Sequence, residues 1–124
     1  MPTIIRKSSP VVETRREFHG TFTWQVRPNV WRPPTDVYET IESVIVKMEI
    51  AGMREEDIEV ALQGDILMIS GSRSDSLERK AYHQMEIPFG RFSVVIELPA
   101  SVETENATAE YKDGFLTIRL PKEK

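Results

Sequence analysis

A chain of 124 residues is about the length of one domain, and its 40% hydrophobic content is enough for one packed interior. With no cysteine, disulfides, thiolate nucleophiles and cysteine-ligated metals are excluded, and a formal net charge of −4 speaks against nucleic acid as the main partner. No apolar run is long enough to cross a bilayer, and MPTIIRKSSPVVETRR lacks an apolar segment followed by a small-residue cleavage site. A cytoplasmic protein with no membrane partner is therefore expected.

The chain opens on a segment unlike the rest. Residues 1–33 hold six Lys/Arg against two Glu, whereas 34–124 hold ten against eighteen acidic residues. Phe18, Phe22, Trp24 and Trp31 are four of the seven Phe and Trp in the chain, and they fall here without sustained periodicity. The segment reads as an N-terminal arm. Its cations are either solvated or set against an acidic surface, its own or a neighbour's. Aromatic side chains exposed on such an arm are costly unless they meet another surface.

Beyond the arm, strand signals recur at the spacing of an all-β sandwich or barrel. Val44, Val46, Met48 and Ile50 alternate with Ile45, Lys47 and Glu49, the period-two pattern of a half-buried strand, which ends at Ala51-Gly52. Met53–Asp57 has helix-forming polarity but length for only a turn. Ile58, Val60 and Leu62 alternate with Glu59 and Ala61, Gln63-Gly64-Asp65 offers a tight turn, and Ile66–Ser70 returns. Ser72–Ala81, SRSDSLERKA, then breaks the rhythm and reads as a long excursion between two strands, after which Tyr82–Ile87 resumes a weak strand. Phe92, Val94, Ile96 and Leu98 share one face of Arg91–Leu98, with Ser93, Val95 and Glu97 on the other. Ala107, Ala109 and Tyr111 lead into Lys112-Asp113-Gly114, a strong hairpin signal, and Leu116, Ile118 and Leu120 line the returning strand up to Pro121.

Catalytic and metal-binding constellations do not emerge. His19 and His83 lie in separate regions without ligand spacing. Ser70, Ser72, Ser74 and Ser76 cluster, but none sits in a G-x-S-x-G elbow, and Glu55-Glu56-Asp57 is read more simply as a capped or solvated turn. The glycines punctuate turns and are not gathered into a phosphate-cradling loop. No enzyme, cofactor or metal is expected.

The order WRPPTDVYET, IVKMEIAGMREEDIEV, GDILMISGSR, FGRFSVVIELPASV and ATAEYKDGFLTIRLPK resembles the α-crystallin domain of the small heat-shock proteins, from about Trp31 to Lys122. Its most specific parts are Leu98-Pro99 and the hairpin from Ala109 to Leu116. The resemblance implies an immunoglobulin-like antiparallel β-sandwich over 34–122, after the arm at 1–33 and before a very short or truncated tail at 123–124. It also implies an ATP-independent holdase that binds unfolding proteins and suppresses their aggregation, with non-native client proteins as partners. The arm aromatics Phe18, Phe22, Trp24 and Trp31 are the expected client-binding residues. The family's homodimer forms by strand exchange, which here assigns the lent strand to Lys80, Ala81, Tyr82, His83 and Gln84 and its landing place to the partner's Asp36–Thr40. Higher oligomers are built in relatives through an Ile-x-Ile tail, absent from a sequence ending at Lys124. The groove that receives it is expected between Ile58, Val60, Leu62 on one strand and Val94, Val95, Ile96 on another. Ile4-Ile5 or Pro10-Val11-Val12 of the arm are candidate substitutes for that tail. Where relatives carry arginines after the Gly-x-Phe of GRFS, Val94 and Val95 stand here, which removes an ion pair at the dimer seam and makes Val95 an added apolar patch. The alternative is a CS-type co-chaperone adaptor, which shares the sandwich but lacks the lent strand.

Overall fold

The computed structural model describes Thr3–Ile4 and residues 30–124. Eight strands are present among them: β1 (Thr3–Ile4), β2 (Thr35–Glu39), β3 (Ser43–Glu49), β4 (Ile58–Gln63), β5 (Ile66–Arg73), β6 (Gly90–Glu97), β7 (Thr108–Lys112) and β8 (Phe115–Pro121). They form two antiparallel sheets, one ordered β1-β7-β8-β3-β2 and the other β4-β5-β6. Three-residue 3-10 turns at Glu55–Asp57 and Thr104–Asn106 carry the chain into β4 and β7.

The alternation of apolar residues dictates which face of each strand turns inward. Val44, Val46 and Met48 of β3 and Leu116, Ile118 and Leu120 of β8 meet Val60 and Leu62 of β4, Leu67 and Ile69 of β5, and Phe92, Val94 and Ile96 of β6 in one core. Withdrawing a side chain of this size from water stabilises the fold by about 1.5–3 kcal/mol, so this layer supplies most of the cohesion. Ile45 lies on the opposite face of β3 and is still buried.

Two backbone features fix the sheets. At the β7–β8 turn Asp113 and Gly114 have φ of +54° and +85°, the left-handed pair that suits the twist of a two-residue hairpin. At Gly71 of β5 an added Cβ would lie 2.5 Å from the Asp57 carbonyl oxygen and 2.8 Å from Phe92 Cζ, so only glycine lets the chain pass under that ring.

Two expectations are corrected. The strand begun at Ile66 runs on to Arg73, because Ser72 and Arg73 pair with Arg91 and Gly90 although neither is apolar. Residues 82–87 form no strand within the single chain, since an extended segment without a neighbour has nowhere to direct its backbone hydrogen bonds.

Candidate functional site

Three surfaces come forward: the excursion at 74–89, the outer edge at β2, and the junction of Trp31 and Arg73 at the feet of the excursion. The excursion leaves β5 and returns into β6, and its apolar side chains stand out of the fold. Leu77, Tyr82, Met85 and Ile87 are 101%, 48%, 56% and 62% exposed, and Lys80, Ala81, His83 and Gln84 are exposed as well. Tyr82, Gln84, Met85, Glu86, Ile87 and Phe89 line a shallow hollow of about 350 Å³ on this excursion.

The first half of the excursion is tied to itself. Lys80 Nζ lies 3.1 Å from Asp75 Oδ1 and also donates to Ser76 Oγ at 3.1 Å, while the Tyr82 hydroxyl donates to Asp75 Oδ2. The Tyr82 hydroxyl, then Lys80, then the Ser76 amide hold the Asp75 carboxyl below the usual carboxylate range. The hydrogen bond to Asp75 correspondingly raises the Lys80 ammonium above its ordinary value.

β2 ends its sheet, paired with β3 on one side only among the described residues. Val37 and Tyr38 on it are 40% and 50% exposed, and Ile41 in the following turn is 95% exposed. Lys122 Nζ contacts Glu39 at 2.7 Å, and Thr40 caps the turn by accepting the Ser43 amide at 3.0 Å. An edge of this kind presents unpaired backbone groups to any strand laid beside it.

The junction gathers residues distant in sequence. Trp31 bridges to Phe92 and stacks edge-on against its ring at 5.7 Å, and its indole Nε1 donates to the Gly90 carbonyl at 3.1 Å. Arg73 spreads its guanidinium over Trp31 at 4.6 Å and Phe89 at 5.5 Å. The same group donates to the Pro88 carbonyl through Nε at 3.1 Å and Nη2 at 2.6 Å, and to the Ala51 carbonyl through Nη1 at 3.2 Å.

Trp31 is thus half-buried against the sandwich, which corrects its expected exposure on the arm: its ring has a packing partner and its N–H an acceptor. Phe18, Phe22 and Trp24 lie outside the described residues. The groove drawn between β4 and β6 is also corrected, because β5 runs between those two strands. Val60, Leu62, Val94 and Ile96 are buried core residues, and Ile58 and Val95 are half-buried, so together they line no open channel. Val95 sits opposite Met68 in the β5–β6 ladder and is no added exposed patch. Of the arm residues proposed for the groove, Ile4 pairs instead with Thr108 at the edge of β7, beside Thr3 opposite Ala109, and Ile5 and residues 10–12 lie outside the described residues.

Arg73 is a functional candidate that sequence reasoning missed, because it lay inside what reads as polar excursion. Its signal was a single long cation directly after Gly71-Ser72, at the point where the apolar alternation of the strand gives way to the polar run. Among the described residues no group of three or more His, Asp and Glu is placed to hold a metal ion.

The sandwich, with a free outer strand and a long excursion between β5 and β6, matches a known architecture. The model of the Hsp20/alpha crystallin family covers residues 36–124. The chain belongs to that family. Its small heat-shock relatives include small heat shock protein C4 of Rickettsia felis, 37% identical over 92 residues, which are 73% of this chain and 56% of that protein. Spore protein SP21 of Stigmatella aurantiaca is 38% identical over 106 residues, 84% of this chain and 63% of that protein. The matched regions thus span 56% and 63% of those relatives' lengths. Among solved structures, heat shock protein 16.0 of Schizosaccharomyces pombe superposes with a TM-score of 0.68 at 31% identity, covering 74% of this chain and 87% of that one. The hspA of Xanthomonas axonopodis gives 0.68 at 30% identity over 74% and 94% of the two chains. Among the described residues no helix is long and apolar enough to cross a membrane.

Proposed function

We propose that this protein is an ATP-independent holdase that binds unfolding proteins and suppresses their aggregation. The observation that carries this reading is apolar surface left open beside an unpaired strand: Leu77, Met85 and Ile87 on the excursion, with Val37, Tyr38 and Ile41 along the β2 edge. Surface of this kind covers exposed apolar segments of a non-native chain and holds them by preferential binding, which requires no nucleotide. Family membership supports the same reading. In this proposal residues 1–33 act as an arm whose end docks through Trp31 on a domain spanning 34–122, and Phe18, Phe22 and Trp24 supply client contacts. The working unit is a homodimer in which Lys80–Gln84 of each copy lies against Asp36–Thr40 of the other, acting in the cytoplasm with neither nucleic acid nor membrane as partner. The available β2 edge and the unpaired stretch at 80–84 favour that exchange.

Light scattering of a heat-aggregating model protein, with this chain added and no nucleotide present, tests the proposal. Suppression at near-stoichiometric ratio is expected, and removal of residues 1–30 is expected to weaken it. Unaltered aggregation at a tenfold excess of dimeric protein would exclude a holdase. A monomer under light-scattering chromatography would favour the adaptor reading.

A further inference from the structure

We propose that Arg73 is the positioning residue for the excursion at 74–89: it clamps both feet of that segment and so presents Lys80–Gln84 in one geometry. The inference rests on the strand-exchange reading for its consequence in the dimer, and on the junction alone for the clamp itself.

Arg73 is the last residue of β5, and Gly90, directly opposite in the ladder, is the first residue of β6. The excursion begins and ends at this pair. Through Nε and Nη2 the guanidinium grips the Pro88 carbonyl, two residues before the returning strand, while Phe89 lies under it at 5.5 Å. The guanidinium also lies 4.6 Å from the ring of Trp31, whose indole N–H holds the Gly90 carbonyl at 3.1 Å. The third donor, Nη1, reaches the Ala51 carbonyl at 3.2 Å and so fastens the cluster to the loop after β3. Both feet of the excursion are therefore joined to each other and to the rigid sandwich through one planar cation.

Only arginine fits this site. A guanidinium offers a fork of donors in one plane and stacks on aromatic rings with both faces, whereas an ammonium is a single strongly hydrated point. A segment that exchanges between copies must reach its landing edge at a defined angle. If its base swivels, the same contacts carry a larger ordering cost at association. The feet are fixed on the sandwich while the tip is bonded only within itself, through Asp75, Lys80 and Tyr82, and Leu77, Met85 and Ile87 stand exposed, which suits a segment held at its base.

The test compares the full chain with Arg73→Met, Arg73→Lys and, as a core control, Val94→Ala. Hydrogen exchange of the amides at 86–90 reports the clamp, and the dimer dissociation constant from dilution reports its consequence. Arg73→Met is expected to speed exchange at 86–90 and to weaken the dimer by roughly tenfold each, the loss of charge-assisted hydrogen bonds. Arg73→Lys is expected to recover only part of both. Val94→Ala is expected to lower the melting temperature while leaving the exchange pattern at 86–90 and the dimer constant unchanged. Unchanged exchange in Arg73→Met, or the same changes in Val94→Ala, overturns the clamp. If Arg73→Met does not fold, Arg73→Lys with wild-type exchange overturns it equally. Faster exchange with an unaltered dimer constant, or in a chain that is monomeric throughout, upholds the clamp and overturns strand exchange as its purpose.

Discussion

Single residues decide where this sandwich tolerates no change. Gly71 is the sharpest case, since a methyl group there would collide with both the Asp57 carbonyl and the Phe92 ring. The carbonyl belongs to a turn and the ring to the core, so neither withdraws cheaply. Gly71→Ala is expected to cost about 1–3 kcal/mol of stability, the range for overpacking in a closely packed interior, as read by urea denaturation. A loss under about 0.5 kcal/mol would mean that Phe92 swings aside freely. Trp31 teaches a related lesson. Its chemistry as an amphipathic aromatic was visible in the sequence, but its burial was not. The residues that hold it, Arg73, Gly90 and Phe92, lie more than forty positions away and follow no local period.

At the scale of elements, the strands facing the core were legible because their alternation is imposed by a two-faced sheet. Val44 to Ile50, Phe92 to Leu98 and Leu116 to Leu120 all turn inward as their spacing dictates. The end of β5 was not legible, because Ser72 and Arg73 join the ladder through their backbones and carry no apolar signature. The pairing of β4 with β6 into a groove failed for a different reason: periodicity identifies faces, not neighbours, and the order β4-β5-β6 is a property of the hairpins. The excursion carries its own electrostatic prediction. Asp75, with its pKa lowered by Tyr82 and Lys80, favours the closed loop above the usual carboxylate range and loses that contribution as pH falls through its depressed value. Lys80, with its pKa raised, contributes below the ordinary lysine range and loses that contribution only as pH rises through its elevated value. Closure of residues 75–82 is therefore expected to be constant across neutral pH and to open in acid. Protease cleavage within 75–82 that rises as pH falls below the usual carboxylate range in the parent, and that is already raised at neutral pH with no acid step in Asp75→Asn, checks the sign. Cleavage that is independent of pH in the parent, at the same rate as in Asp75→Asn, would remove the contact from solution.

For the molecule as a whole, the question is whether the sandwich and its assembly are separable. The β5–β6 ladder closes at Arg73 and Gly90 without help from the intervening segment, and every core residue lies outside 74–89. Replacing 74–89 by a short Asn-Gly turn is therefore expected to leave a folded sandwich, since a primed turn suits antiparallel neighbours. Each halving of loop length recovers about 0.6 kcal/mol of closure entropy, so two or three halvings return about 1–2 kcal/mol against the lost grip of Arg73 on Pro88. The apolar surface at Leu77, Tyr82, Met85 and Ile87 would be gone, and with it the segment assigned to exchange. Sedimentation of this shortened protein is expected to show a monomer with a melting temperature within a few degrees of the parent. A shortened protein that still dimerises with the parent's affinity would place the interface on the β2 edge or the arm alone. A monomer that still suppressed aggregation would separate client binding from assembly and leave the first to the open surface around Val37, Tyr38 and Ile41 and to the arm.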